Sequence, residues 1–408
     1  MNIGRIAALT APCIVLVAVV STGVADPAPV RLLALSGSAI DSERLDYDGL
    51  PRIEGTHAIV SPAVIHSSGE EFEKLDLGNL RFQLHNYLVR HAGRFWCVWS
   101  QGPPIEDEPT QEVCYAASED GLIWSKPQSV TGAPEAPYAF IARGLWVRDG
   151  ELLTLAAHFK GKGAFGVDKQ LTLWAYAWDE QRGQWRFKQK VYDNAINNFP
   201  PQQLPSGDWI LTRRDARFNV SVLIGGRKSL SDWRSFAVVG RRDVPGFSPD
   251  EPILWTLPDE TLLALYRDNG GSRRLFHSTS TDGGRTWTAP VITNFPNATS
   301  KLFSLQTSRG YRVLVSNANP SVGRRELHLS ISEDGRTFTR MSLLAIPSPP
   351  SVKGLSQIWH KFRSGVSTLQ YPHAIEHGEQ LLVAFSRNKK QIELLRIPLN
   401  ELDILLED

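Results

Sequence analysis

The feature that most constrains this chain of 408 residues is a repeated turn motif. Three segments share a Ser-x-Asp-Gly pattern followed by an aromatic residue, namely Ser118 to Trp124, Ser280 to Trp287 and Ser332 to Phe338. Weaker copies include the aspartates at 179 and 232, so that the aspartates at 120, 179, 232, 282 and 334 are spaced by 59, 53, 50 and 52 residues. A nearly constant period of this length is typical of a fold built by repetition.

A second pattern, an apolar strand, a short turn and another apolar strand, runs in phase with the first. It occurs six times, as YLVRHAGRFWCVWS, LWVRDGELLTLAAH, QQLPSGDWILTRR, ILWTLPDETLLALYRD, LQTSRGYRVLVSN and AIEHGEQLLVAFSR. Each copy predicts a β-hairpin, and units that continue into the aspartate motif end in a second hairpin. Four strands make one propeller blade. We therefore predict an all-β chain that forms a six-bladed β-propeller of four-stranded antiparallel blades with aspartate-box turns.

The sixth unit ends about one strand short of a full blade. The segment from Thr56 to Ile65 is strand-like and precedes the first unit. We expect it to pair as the outer strand of the last blade, because closing the ring removes exposed sheet edges. The predicted organisation is a propeller over residues 57–400, preceded by an approach segment over 26–56 and followed by a C-terminal tail over 401–408.

The first 25 residues have the pattern of an export signal. Arg5 supplies a basic start, Ile6 to Val20 is apolar, and Gly23 to Ala25 offers small residues for cleavage after Ala25. The apolar run of about 15 residues is shorter than the roughly 20 that a membrane-spanning helix needs. We expect a signal peptide over residues 1–25 and a secreted or periplasmic protein, monomeric and without membrane contact after cleavage.

The charge balance bears on partners. Lys and Arg together number 44 and Asp and Glu 43, so the chain has no broad positive field that would attract a phosphate backbone. We therefore expect no nucleic-acid partner. Cys97 and Cys114, which remain after the predicted cleavage, could form a disulfide in an oxidising compartment or stay as two buried thiols.

Six blades with aspartate boxes on an exported chain of this size resemble the sialidase superfamily, also called neuraminidase-like or BNR-repeat propellers. The resemblance covers roughly residues 57–398. It implies a glycan substrate bound over the propeller axis and three arginines that grip its carboxylate, since a planar guanidinium suits a carboxylate. It also implies a tyrosine nucleophile assisted by a glutamate, and an aspartate that serves as acid and base.

The resemblance assigns three catalytic candidates. Glu251 in SPDEPILW begins the inner strand of the fourth unit and matches the family's glutamate. Tyr371 in LQYPHAIEHG matches the nucleophile, and Asp107, central in IEDEP, lies about where the family carries its acid. The alternatives are a solvated loop carboxylate for Glu251 and for Asp107, and an aromatic ring packed over the channel for Tyr371.

The resemblance is less complete for the arginines. Arg267 lies 16 residues after Glu251 and matches the second arginine, and Arg324, with Arg325 as the alternative, matches the third. Where the first arginine should stand, YLVRHAG leaves Leu84 and His85.

Other polar residues are therefore candidates for substrate binding: His85, Asn86, Arg143 and His373. A neutral imidazole at the axial mouth can hydrogen-bond a sugar hydroxyl or act as a base. No compact spacing of metal ligands occurs in the sequence, so we expect neither a metal nor a cofactor.

Three functions remain open from the sequence. The first is an exo-glycosidase that releases a terminal acidic sugar with retention of configuration, using Tyr371, Glu251 and Asp107. The second is a polysaccharide lyase on the same propeller, in which Tyr371 or a histidine removes the proton beside a uronate carboxylate. The third is a propeller that binds glycans without turning them over.

Overall fold

A computed structural model describes residues 29–35, 45–64, 80–347 and 367–407. The predicted signal peptide lies outside these residues. Two short strands, β1 (Arg52–Ile53) and β2 (Thr56–Ser61), precede the first blade. No helix in the described ranges is long and apolar enough to cross a membrane.

The remaining strands form the blades, each beginning with its innermost strand. The first three blades consist of β3 (Phe82–His91), β4 (Arg94–Gly102), β5 (Glu112–Ser118) and β6 (Gln128–Ser129); β7 (Tyr138–Arg148), β8 (Glu151–Lys160), β9 (Thr172–Asp179) and β10 (Gln184–Asp193); and β11 (Gln202–Gln203), β12 (Trp209–Arg214), β13 (Val220–Gly225) and β14 (Trp233–Val239).

The last three blades follow the same order. They consist of β15 (Pro249–Thr256), β16 (Leu262–Asp268), β17 (Arg274–Ser280) and β18 (Val291–Pro296); β19 (Phe303–Gln306), β20 (Arg312–Ser316), β21 (His328–Ser332) and β22 (Arg340–Leu344); and β23 (Leu369–His377), β24 (Gln380–Arg387) and β25 (Gln391–Pro398). The six antiparallel sheets stand in a ring, because inner strand β3 packs against both β7 and β23. The predicted six-bladed propeller is confirmed.

The ring closes as the sequence predicts. Strand β2 pairs antiparallel with β25, with Thr56 opposite Arg396 and Ala58 opposite Leu394. Val60 of this strand is buried in the apolar cluster between the sixth and first blades. The pairing supplies the fourth strand of the sixth blade and ends at Ser61, short of the predicted Ile65, which lies outside the described residues.

The chain on either side of the predicted propeller is built into it. In the approach segment, β1 runs parallel to β22 as a fifth strand, and Leu33 forms a bridge with Phe338. Residues 399–407, which include most of the predicted tail, form helix α1 (Leu399–Glu407). Its leucines 399, 402 and 405 are buried against the fifth and sixth blades because they repeat at helical spacing on one face.

Hydrogen bonds between the aspartate side chain and nearby backbone N–H groups hold the aspartate turns. Asp120 Oδ1 accepts the backbone N–H groups of Leu122 and Ile123, both at 2.8 Å. Gly284, in the turn of the fourth blade, has φ of 88°, and a Cβ there would meet Ile210 of the third blade at 2.9 Å. Glycine suits this position because the backbone is in the left-handed region and side chains of the third and fourth blades fill the space beside it.

The two cysteines of the first blade are buried free thiols. Cys97 on β4 pairs with Ala116, and Cys114 on β5 pairs with Trp99, so the two residues are not directly opposite each other. Of the two alternatives that the sequence leaves open, the structure has the unbridged one.

Candidate functional site

Three inner strands share a bulge that carries a candidate site residue. The pairing with the next strand is interrupted at His85 in β3, at Glu251 in β15 and at Tyr371 in β23. All three residues have positive φ, at 58°, 42° and 58°. A bulge with such a residue re-aims its side chain, and non-glycine residues hold positive φ at a cost of about 1 to 3 kcal/mol that is concentrated at functional sites. As the sequence predicts, the three residues lie near the starts of their strands, at the third or fourth position.

The bulges bring the main catalytic candidates together. Arg267, near the end of β16, donates from Nη1 to Oε2 of Glu251 at 2.6 Å. The Tyr371 side chain lies beside the Glu251 carboxylate and the Arg267 guanidinium and interacts with both. Glu251 and Tyr371 are 3% and 7% exposed, so this cluster forms the nearly closed floor of a site at the propeller axis.

The surroundings of the cluster shift the pKa values of Glu251 and Tyr371 in opposite directions. Burial alone would raise the pKa of Glu251, but the positive charges of Arg267, Arg214 and Lys301 outweigh burial and hold it at about 2. Burial raises the pKa of Tyr371 far above its ordinary value, and the charge of Glu251 adds to this effect. At neutral pH the tyrosine therefore keeps its proton beside an ionised carboxylate that can accept it.

Arg324 reaches the same site from the loop between β20 and β21. Its guanidinium donates to Gln370 Oε1 at 2.7 Å and to the carbonyl of Thr299 at 2.8 Å. Its charge is among those that act on Tyr371. The alternative, Arg325, is exposed. The structure therefore favours Arg324 over Arg325 as the arginine that lies beside Tyr371 together with Arg267.

Asp107 lies in the loop between β4 and β5, with φ of 59°. Its backbone N–H donates to Gln111 Oε1 at 3.1 Å, and its carbonyl accepts the N–H of Gly163 at 2.9 Å. Burial, with the neighbouring charge of Glu106, raises the pKa of Asp107 to about 7. A carboxyl group that holds its proton up to neutral pH is suited to general-acid catalysis.

Glu106, which the sequence analysis did not single out, stands beside Asp107. Its Oε1 is 3.5 Å from Nε2 of His85, and its carboxylate pairs with Lys389. Its negative charge contributes to the raised pKa of Tyr371. The acidic IEDEP loop therefore places two carboxyl groups at the site, where the sequence led us to expect one.

His85 occupies the place of the missing arginine as a neutral side chain. Burial, followed by the charges of Arg143 and Lys301, lowers its pKa well below the ordinary value. Ser100 Oγ accepts the N–H of Ala142 at 2.9 Å and forms a hydrogen bond of 3.0 Å with Nδ1 of His85. Nε2 of the ring lies 3.5 Å from Glu106 Oε1.

The other predicted binding residues are buried to a similar degree as Glu251. His373 accepts the N–H of Leu88 on Nδ1 at 3.2 Å, and its ring packs 4.2 Å from that of Phe303. Asn86 and Arg143 are 0% and 2% exposed. The contacts of His373 are those of a packed ring, and Asn86 and Arg143 are at least as buried as Glu251.

Two cations at the centre were missed by sequence reasoning. Arg214, the last residue of β12, forms a buried ion pair with Asp250. Arg214 lies at a strand end and is followed by aspartate in RRD, as Arg267 is in ALYRD. This repeated Arg-Asp pair could have identified Arg214. Lys301, in the segment before β19, has no exposed surface, and nothing in ATSKLF marks it as a site residue.

The described residues contain no group of three or more His, Cys, Asp or Glu side chains that could hold a metal ion. The chemistry that this arrangement supports consists of proton transfer by Glu251 and Asp107, nucleophilic attack by Tyr371, and binding of an anionic group by arginines.

Comparison with known proteins agrees with this fold. The family model described as a BNR repeat-like domain matches residues 79–383. This chain belongs to that family. No curated protein sequence matches the chain.

Solved structures with the same architecture include sialidases. A Trypanosoma rangeli sialidase mutant that displays trans-sialidase activity is 13% identical, with a TM-score of 0.61 over 87% of this chain and 60% of that one. The NanB sialidase of Streptococcus pneumoniae is 12% identical, with a TM-score of 0.59 over 82% of this chain and 71% of that one. A protein of unknown function from Dyadobacter fermentans is 13% identical, with a TM-score of 0.63 over 85% of this chain and 99% of that one. At these identities the likeness establishes a sialidase-like propeller fold.

Proposed function

We propose that this protein is an exported, sialidase-like exo-glycosidase that releases a terminal acidic sugar with retention of anomeric configuration. The observation that carries the proposal is the buried cluster of Tyr371, Glu251 and Arg267, in which a protonated nucleophile, an ionised base and a cation meet at the axis. A phenol suits this substrate class, because a carboxylate nucleophile would meet like-charge repulsion from an anionic sugar.

In the proposed reaction, Arg267 and Arg324 bind the acidic group of the substrate. Tyr371 Oη attacks the anomeric carbon and gives its proton to Glu251, while Asp107 protonates the leaving glycosidic oxygen. Asp107, now ionised, then removes a proton from water, which attacks the anomeric carbon and frees Tyr371, and the tyrosine recovers its proton from Glu251. Two displacements at one carbon retain its configuration.

Binding of an acidic sugar would also make Glu251 a stronger base. Glu251 has a pKa of about 2 because cations surround it, and such a carboxylate is a weak base. An anion held by Arg267 neutralises part of that charge and raises the basicity of Glu251. The proposed site is thus most active towards substrates that carry the acidic group.

A fluorogenic sialoside, tested beside neutral and uronic acid glycosides with the same leaving group, examines this proposal. Release of the fluorophore from an acidic glycoside that disappears in Tyr371→Phe would support it. Hydrolysis of neutral glycosides alone would contradict the acidic specificity. Fractionation of the natural host, with the mature N-terminus determined by mass spectrometry, tests export and cleavage after Ala25.

One observation favours a second function. His85 stands as a neutral imidazole where the resemblance implies an arginine, and its ring meets that of Tyr371 edge-on at 5.0 Å. In a lyase, Tyr371 would pass its own proton to Glu251 and remove the proton beside a uronate carboxylate. Elimination would break the bond to the leaving sugar oxygen, which Asp107 would protonate. The unsaturated product absorbs ultraviolet light, whereas a hydrolysis product does not, so incubation with uronate polymers separates the two reactions.

A further inference from the structure

Lys301 lies at the centre of the ring and has no exposed surface. Its Nζ donates to Tyr87 Oη at 2.9 Å and to the carbonyl of Asn198 at 3.3 Å. Within the described ranges no carboxylate forms an ion pair with it. Burying an ammonium group costs free energy unless other interactions compensate, so the groups around Lys301 must stabilise it.

Aromatic rings surround the ammonium group. Nζ lies 4.4 Å from the ring centroids of both Tyr87 and Phe199, and 5.3 Å from that of Tyr371. A cation over a ring face is attracted by the ring's electrons, and the attraction is strongest where water is excluded. Burial lowers the pKa of Lys301 well below its ordinary value, while the negative charge of Glu251 acts in the opposite direction.

Lys301 is also connected to the bulge that carries Glu251. Asn198, whose carbonyl accepts from Lys301, donates from Nδ2 to the carbonyls of Glu251 at 2.9 Å and Pro252 at 3.1 Å. The lysine thus touches the ring of Tyr371 on one side and, through Asn198, the backbone that aims Glu251 on the other.

We propose that Lys301 is a positioning residue that holds Tyr371 and Glu251 in one arrangement, through the ring of Tyr371 and through Asn198. Its Nζ touches neither solvent nor the exposed surface of the site, so it acts through these two residues and does not bind substrate. The kinetic part of this inference rests on the proposed glycosidase function, whereas the effect on Glu251 does not.

The charged and titratable groups that face Glu251 come from five blades. They are Arg214 and its partner Asp250, Arg267, Lys301, Tyr371 and Tyr87. Only the charge of Lys301 is changed in the test below, so an altered titration of Glu251 in that variant reports on the lysine.

The test compares Lys301→Met with Arg312→Met. Arg312 is a matched control: it is also buried, also stacks on an aromatic ring, that of Trp255 at 4.8 Å, and lies in the same blade. Protein labelled with ¹³C at the glutamate carboxyl carbons is titrated towards acid pH, with Glu251 assigned from Glu251→Gln. We expect the Glu251 pKa to rise by about one unit in Lys301→Met and to stay in place in the control. An unchanged Glu251 titration in Lys301→Met would overturn the proposal.

Kinetics provide the second readout. We expect Lys301→Met to lower kcat by roughly 100-fold with little change in KM, since a small misplacement of reacting groups has effects of that size. A raised KM with unchanged kcat would contradict a positioning role.

A second variant, Tyr87→Phe, keeps the lysine but removes its hydroxyl partner. It should lower kcat in the same way even if Lys301→Met fails to fold. An unchanged kcat in Tyr87→Phe counts against the proposal. If the Glu251 pKa shifts in Lys301→Met but the wild type hydrolyses no glycoside, the link between Lys301 and Glu251 is supported and the proposed function is rejected.

Discussion

Tyr371 and Glu251 occupy equivalent bulges on the inner strands of the sixth and fourth blades, and both residues have left-handed backbone conformation. In each case proline follows, at positions 372 and 252. Tyr371 follows Glu251 by 120 positions in the chain, and the closed ring brings the carboxylate and the phenol together at the axis. The bulges therefore aim both side chains at the site.

Removal of the Tyr371 hydroxyl should abolish turnover and leave the fold intact. Tyr371→Phe keeps the ring that packs against His85 and Lys301, so its thermal melt should match that of the wild type. Activity should fall below detection because the attacking oxygen is gone. A variant that retains most of its activity would show that Tyr371 is an aromatic packing residue.

Asp107 should control the alkaline side of the pH profile. It must hold its proton to act as an acid, and its pKa of about 7 means that activity falls as the pH rises through about 7. Glu251 must be ionised, which holds above about pH 2, so the profile should be a bell between these limits.

Asp107→Asn provides the matching variant. It should lose roughly 10² to 10⁴ in kcat/KM on substrates with poor leaving groups and much less on activated aryl glycosides, since only the former need the proton. Equal losses on both substrate types would argue that Asp107 supports the loop and does not donate a proton.

The buried ion pair of Arg214 and Asp250 should matter for stability. Both side chains are less than a tenth exposed, and Arg214→Met leaves a buried carboxylate with less compensation. We expect a loss of about 3 kcal/mol in the free energy of unfolding, measured with urea. Arg182→Met, which removes an exposed pair with Asp179, serves as the control and should cost less than about 1 kcal/mol. Similar losses in both variants would contradict this assignment.

Closure of the ring by β2 predicts a long-range effect of a residue near the start of the propeller. Val60 is 2% exposed between the sixth and first blades, and Val60→Ala should lower the free energy of unfolding by about 1 to 3 kcal/mol. Thr56→Ala, at the exposed end of the same strand, should change it by less than about 0.5 kcal/mol. No difference between the two would mean that the strand is not part of the cooperative core.

The sequence predicts the scaffold better than the site because the two depend on different information. The aspartate motifs and hairpins recur at a regular period, and each copy carries its own local signal, so the six blades and even the pairing of Thr56–Ser61 with the last blade were foreseen. The site is assembled from single residues on different blades. Glu251, Arg267 and Tyr371 could be found because a family pattern includes them.

Lys301 and Arg214 were not assigned by the family resemblance, and their roles follow from burial and from mutual charge effects that exist only in the closed ring. The local signal for Arg214 is a second Arg-Asp pair at a strand end. His373 was expected at the axial mouth because it lies near a strand start, and its ring is buried among aromatic side chains. Helix α1 was missed because its short leucine pattern follows a strand directly.

The central claim is that Tyr371 is the nucleophile of a retaining reaction. The most direct measurement is to trap the intermediate with an acidic fluorosugar that forms the glycosyl-enzyme rapidly and loses it slowly, followed by peptide mass spectrometry. We predict one adduct of the sugar's mass, on the peptide that contains Tyr371, absent from Tyr371→Phe. An adduct on another residue, or turnover of the natural substrate without any adduct on Tyr371, would contradict this account.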